Sequence, residues 1–356
     1  MSTTSHKETL QSDYPWTTTP LIVAAPMRLI AKSALVLAVS RAGGIGFLGA
    51  GTDISDLASD VSEIQNSLTS NPITNAPPNI LPIGIGFIVW GLDLAHVTET
   101  LSQLPLPPAA IWLFAPHSPS DLPNWTASIR KATSNLTKIW IQVGTVASAL
   151  STAQTCSPDV LIIQSSDAGG HGLAQSSSLI SLLPECADAL QATGYGAIPL
   201  IAAGGIVEAR SAAAALMLGA SGICMGTRFL ACPEAVITQG YRNAVLAASD
   251  GGVTTARTSL YDQLRGTTGW PGIYNGRGVL NKSWWDEKEG LGIDENRKLY
   301  EAEMKKGDEG WGVQGRMTTY AGTGVGLIRK VMPAGEVVAE VREGSKKLLR
   351  SGGSRL

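Results

Sequence analysis

Residues 198–230, IPLIAAGGIVEARSAAAALMLGASGICMGTRFL, read as strand, glycine turn, alanine-rich helix, strand and second glycine turn. The apolar run Pro199–Ala203 stops at Gly204-Gly205, and Gly222–Met225 stops at Gly226-Thr227. Two successive strand ends carrying glycines, each leading into a helix or turn, are how the last two βα loops of an eight-stranded barrel build a phosphate site. The glycines let backbone amides reach phosphate oxygens, and helix amino termini favour the negative charge. The stretch therefore predicts a closed α/β barrel whose ligand carries a phosphate.

Upstream, residues 159–172 read DVLIIQSSDAGGHG, an apolar strand ending in Gly169-Gly170-His171. Such an ending presents an imidazole at the mouth of a sheet, beside backbone bare enough for a flat ligand to approach. His171 is the candidate base of a cofactor enzyme. His6, His96 and His117 lack such company and read as surface residues.

Working outward, eight short apolar runs alternate with helix-like stretches: 21–25, 45–48, 81–87, 110–114, 139–143, 160–164, 199–203 and 222–225. Strict alternation with near-continuous apolar strands argues a parallel sheet covered by helices, and eight repeats argue a TIM (β/α)8 barrel. The pattern breaks at 239–315, where Gly, Trp and charge dominate, and an apolar amphipathic ending follows. The expected organisation is a flexible N-terminus 1–19, a barrel from 20–238 and 316–356, and a small lid or substrate lobe inserted at 239–315.

The chain has 356 residues, 44% hydrophobic and 16% charged, with net charge −2, enough for one large core. No basic run argues for nucleic acid or an anionic membrane surface. Cys156, Cys186, Cys224 and Cys232 show no CxxC pairing and read as free thiols in a reducing compartment, with no metal site. No apolar run approaches the roughly 20 residues of a spanning helix, and the polar start has no signal-peptide core. The terminal Ser354-Arg355-Leu356 resembles a peroxisomal address, so a cytoplasmic or peroxisomal location is expected.

The segments TPLIVAAPM, SRAGGIGFLGAG, QSSDAGGHG, AAGGI, CMGTRF, RGTTGWP and YNGRG occur in order from about Pro20 onward. Together they resemble the nitronate monooxygenase family, formerly 2-nitropropane dioxygenases. The resemblance implies an FMN-containing barrel that oxidises alkyl nitronates, or a similarly acidic carbon, with O2 to a carbonyl compound and nitrite. It implies Pro26 and Met27 against the flavin ring, and flavin contacts at Gly86, Gln164, Gly169 and Gly170. It further implies Gly204 and Gly205 in the seventh loop, Cys224, Met225, Gly226 and Thr227 gripping the phosphate, and His171 as the active-site histidine. Two positions depart from the family pattern. Ile85-Gly86-Phe87 stands where an Asn is usual, and Gly172-Leu173 follows the histidine in place of Arg-Gly, which removes a cation from the substrate side.

Two alternatives stay open: an NAD(P)H-dependent flavin enoyl reductase of the same barrel type, and a flavin-free binding protein. Asp167 either orients His171 or caps the next segment. Arg277 and Tyr274 either face substrate or belong to the surface. Trp284 and Trp285, being adjacent, cannot both face one pocket, and a homo-oligomer is compatible with an exposed tryptophan.

Overall fold

The computed structural model describes residues 6–352; residues 1–5 and the Ser354-Arg355-Leu356 tripeptide lie outside the described residues. The strands in chain order are β1 (Leu21–Ala24), β2 (Ile45–Gly51), β3 (Leu81–Ile88), β4 (Pro108–Phe114), β5 (Lys138–Val143) and β6 (Val160–Gln164). They continue with β7 (Gly170–Leu173), β8 (Leu200–Ala203), β9 (Gly222–Met225), β10 (Thr255–Thr258) and β11 (Tyr274–Val279). All except β7, β10 and β11 form a closed parallel barrel, completed where β1 pairs with β9 from Leu21↔Gly222 to Ala24↔Met225. Each of the eight expected apolar runs is a barrel strand, because strands covered on both faces are apolar at successive positions. The largest change of boundary extends β2 from Leu48 to Gly51.

Side chains alternate between a barrel interior and a helix-covered outer layer. On β3, Ile83, Ile85 and Phe87 enter the outer core. Gly84 faces inward, where a Cβ would lie 2.3 Å from the Phe47 ring. Phe47, Trp112 and Trp140 fill the interior as a packed aromatic cluster.

The flexible terminus expected over 1–19 is corrected for residues 6–19. Helix His6–Asp13 covers the end of the barrel where the strands begin, and Tyr14, fully buried, accepts a hydrogen bond from Trp140 Nε1 at 2.7 Å. Lys138 pairs with Asp13 at 2.7 Å, and His6 lies 2.6 Å from the Gly196 carbonyl, so this histidine is an anchor rather than a free surface group. The polar composition of the segment hid this, because its apolar partners exist only once the barrel has closed.

At the other end of the chain, helix Ala334–Gly352 returns to the barrel and buries Arg342. Its guanidinium donates to the carbonyls of Ala42 (2.8 Å), Gly43 (2.7 Å) and Pro20 (3.4 Å), tying the last helix to the first strands. Arg342→Met would take a charged donor from these carbonyls, of which Gly43 O keeps Thr18 N–H at 2.8 Å, and a loss of about 3 kcal/mol is expected. The denaturant midpoint checks this, and an unchanged midpoint would refute it.

Within residues 239–315, Tyr241 and Val245 pack with Val207 and Leu230 of the barrel, whereas Leu260, Tyr261, Leu264 and Tyr300 form the small core of a lobe. Its sheet has the order β10-β11-β7, so it borrows β7, the strand that carries His171, from the connection between β6 and β8. The lobe also holds chain beyond residue 315: Val279 N–H donates to Thr319 O at 2.8 Å, and Gly278 bridges Tyr320. No helix among the described residues is long and apolar enough to cross a membrane.

Candidate active site

A cavity of about 1330 Å³ opens at the carboxyl ends of the barrel strands, beneath the lobe. Pro26 and Met27 line it from the loop after β1, Gly86 from β3, and Gln164 from β6. Gly169, Gly170 and His171 line it at the start of β7, Gly204 and Gly205 after β8, and Cys224, Gly226 and Thr227 around the end of β9. Gly86 is required here: a Cβ would sit 2.3 Å from Pro26 Cβ and drive the first loop off the strand. Met225 is the exception among the expected residues. Its side chain is fully buried in the outer core, because period-two alternation turns it away from the cavity that Cys224 faces. Only its carbonyl contributes locally, accepting from Ala25 N–H at 3.0 Å.

His171 is held from the lobe. Its Nε2 lies 3.0 and 2.9 Å from the two carboxylate oxygens of Asp262, on helix Leu260–Arg265. Asp262 is 5% exposed and also accepts from Thr267 Oγ1 and from the Tyr320 hydroxyl, each at 3.0 Å. Burial, and then the Asp262 carboxylate, push the Tyr320 phenol above its ordinary range, so it stays protonated and remains a donor. The imidazole stacks on Trp270, with centroids 3.8 Å apart and planes within 5°. Tyr320 packs at 5.3 Å. With Nε2 committed to an acceptor-only carboxylate, Nδ1 is the ring nitrogen left for chemistry.

Sequence reasoning missed Asp262. It lies 91 residues from His171, in a short helix with no metal-like or triad-like spacing, and only β7–β11 pairing brings the two together. The carboxylate considered instead, Asp167, serves the second of its two roles: it accepts from Leu179 N–H (3.3 Å) at the start of helix Leu179–Ala192 and from Thr323 Oγ1 (3.4 Å).

The bed under His171 is built from carbonyls gripped by arginines. Arg257 donates to the carbonyls of Ala168 (2.8 Å), Asn275 (3.0 Å) and Gly170 (3.3 Å), and Arg277 to Ser166 O at 3.1 Å. Burial, helped by neighbouring Arg277, pushes the Arg257 guanidinium down to about 10, which leaves it charged at neutral pH. Arg277 is thus neither a cavity group nor a surface one. Tyr274 packs edge-on against Phe114 at 5.3 Å. Gln164 Nε2 donates to His171 O at 3.1 Å, and a Cβ on Gly172 would fall 2.5 Å from Gln164 Oε1, so the departure to glycine after the histidine has a packing reason. Two arginines line the cavity wall: Arg28 from the loop after β1, and Arg265 from the lobe, 5.6 Å from the centre of the Tyr320 ring.

The four cysteines are free and buried, and burial pushes the Cys224 thiol up, so none is poised as a thiolate. Trp284 packs in the lobe core while Trp285 is half exposed.

The residues present fit a flavin nucleotide. Gln142 Oε1 accepts from Trp112 Nε1 at 3.0 Å, while its buried Nε2 has no partner among the described residues and lies in the cavity wall, where a ring carbonyl or nitrogen would satisfy it. At the phosphate end, a Cβ on Gly226 would meet nothing nearer than Ala25 Cβ at 3.7 Å, so the missing side chain leaves room for a ligand. Gly204 and Gly205 adopt positive φ beside it (105° and 73°). Thr227 Oγ1 accepts from Gly322 N–H at 3.0 Å, which leaves its own proton to donate.

The family model described as nitronate monooxygenase matches residues 13–76 and 120–344. The chain is 44% identical over 349 residues to the nitronate monooxygenase npaC of Metarhizium robertsii, covering 97% of this chain and 96% of that protein. It is 35% identical over 362 residues to a nitronate monooxygenase of Neurospora crassa, covering 96% and 93%. Among solved structures, FabK from Thermotoga maritima superposes with a TM-score of 0.74 at 22% identity, covering 98% of both chains, a likeness of fold alone.

Proposed function

This chain belongs to the nitronate monooxygenase family, and from that premise we propose that its flavin is FMN, that His171 is its acid–base residue and that Asp262 positions it. The protein is an oxidoreductase that oxidises nitronates. The observation that carries the assignment is His171, held from behind by buried Asp262 and facing the same cavity as the glycines of the last two strand ends.

Pro26 and Met27 would bear on the flavin ring, Gln142 and Gln164 on its polar edge, and Gly204, Gly205, Gly226 and Thr227 on the phosphate. Bound flavin supplies the electron transfer between nitronate and O2. The protein supplies position, charge and dryness. Asp262 accepts a hydrogen bond from Nε2–H, which fixes the tautomer and presents Nδ1 as a lone pair. Nδ1 takes the acidic C–H proton of a neutral nitroalkane or, once protonated, donates to a nitronate oxygen. Trp270 covers one face of the imidazole, so substrate meets the ring at its edge. Arg265 offers a cation to the nitronate. The lobe at 239–315 acts as the lid, excluding water from the charged groups beneath it.

In Asp262→Asn the amide cannot hold the same tautomer and charge. Turnover is expected to fall by up to about 10⁴-fold, as when the carboxylate that orients an acid–base histidine becomes an amide. Flavin content should not change. Steady-state kinetics with flavin quantitation checks this, and wild-type turnover would remove Asp262 from the mechanism.

The function itself is tested by the anaerobic visible spectrum of the purified protein. Bleaching of the flavin by nitropropane nitronate, with recovery in air, supports the oxygenase. A flavin that ignores nitronate and bleaches with NADPH would indicate a reductase.

A further inference from the structure

We propose that the site is built for nitronates carrying a long alkyl or aryl substituent, seated along an aromatic wall that leads outward from His171. This inference rests on the nitronate reading above and adds to it the size and polarity of the substrate.

Three aromatics mark the wall at successive stations. The Tyr320 ring lies 5.3 Å from the imidazole. Tyr241 donates its hydroxyl to the Tyr320 carbonyl at 3.0 Å, and the Tyr241 ring stacks on Trp311 with centroids 4.8 Å apart and planes 19° from parallel. All three aromatics line the cavity. Val236 and Met304 line it too and are 57% and 54% exposed, which adds apolar surface to the same cavity. A substituent on the carbon that reacts near Nδ1 meets Tyr320 first and then has an apolar surface to follow.

Volume points the same way. Pockets for single drug-sized ligands span roughly 300–1000 Å³, and FMN is one such ligand. A cavity of about 1330 Å³ exceeds that range, whereas a three-carbon nitronate adds few atoms to the cofactor. A small substrate would leave water against the Tyr241–Trp311 face, and an apolar chain would displace it favourably.

The test is a homologous series of primary nitronates, from nitropropane to nitrooctane, on the FMN-loaded enzyme. KM should fall by up to about fourfold for each added methylene until the wall is covered. Straight-chain carboxylates are planar anions of similar shape that cannot react. Their dissociation constants, read from perturbation of the flavin absorbance, should fall in parallel. Ile237→Trp, which puts a bulky ring where Ile237 packs near Tyr241 and Trp311, should flatten both series. Constants that stay flat or rise with chain length, with normal turnover of nitropropane nitronate, would overturn this inference alone. Failure to oxidise any nitronate would overturn the functional reading together with it.

Discussion

His171→Asn is expected to lower turnover of a neutral nitroalkane by about 10² to 10⁴, the usual contribution of a positioned acid or base, while the protein keeps its flavin. The reasons are separable in the structure. The imidazole belongs to β7 and is held by Asp262 from the lobe, whereas the glycines proposed to hold the phosphate lie at the ends of β8 and β9. Asparagine retains a polar group near the Nδ1 position but cannot accept a proton there. With preformed nitronate no C–H bond has to be broken by a base, so the loss is smaller and includes a rise in KM from the missing donor. Flavin absorbance, and kcat and KM on both forms of the substrate, make the comparison. Unchanged turnover of the neutral nitroalkane would take His171 out of the reaction.

Gly226→Val is expected to yield a folded protein that has lost its cofactor. Gly226 has φ −111° and ψ −69°, a backbone that an L residue can adopt, and an added Cβ touches only Ala25 and Met27 at 3.7 and 3.9 Å. The branches of valine would therefore enter the cavity where the phosphate belongs. Overpacking of this kind costs about 1–3 kcal/mol in protein interiors. Flavin binding should weaken by about a hundredfold, leaving a colourless, inactive preparation with a wild-type melting temperature for the apoprotein. Gly204→Ala would be a poorer probe, since φ is 105° there and the Cβ would fall 2.4 Å from Ser165 Oγ, so folding and binding would fail together. Stoichiometric flavin in Gly226→Val would contradict the assignment of this loop to the phosphate.

The barrel was legible because its strands are short, apolar and separated by helical stretches with Gly and Pro at the joints, signals that lie within a few residues of one another. His171 was legible for the same reason, through the two glycines before it. The direction of the Met225 side chain was not legible from the contiguous motif, since the alternation of β9 sends Cys224 and not Met225 toward the cavity. The N-terminal segment was misread because the partners of Tyr14 lie on distant strands; Trp140 stands 126 residues away. Arg257 and Arg277 gave no local sign of gripping the loop at 166–170.

By itself, the sequence determined the eight-stranded parallel barrel, the glycine-lined strand ends and the histidine at the mouth, since hydrophobic periodicity and glycine turns are local properties of the chain. Only the tertiary structure decided which carboxylate serves that histidine, which side chains reach the cavity and how the two termini lock the barrel. Those relations depend on strand register and on contacts between residues far apart in sequence, such as Gly276 opposite His171 and Arg342 on the carbonyls of Ala42 and Gly43. No local pattern encodes them, because they come into being only when β7 leaves the barrel to join the lobe and the last helix closes over the first strand.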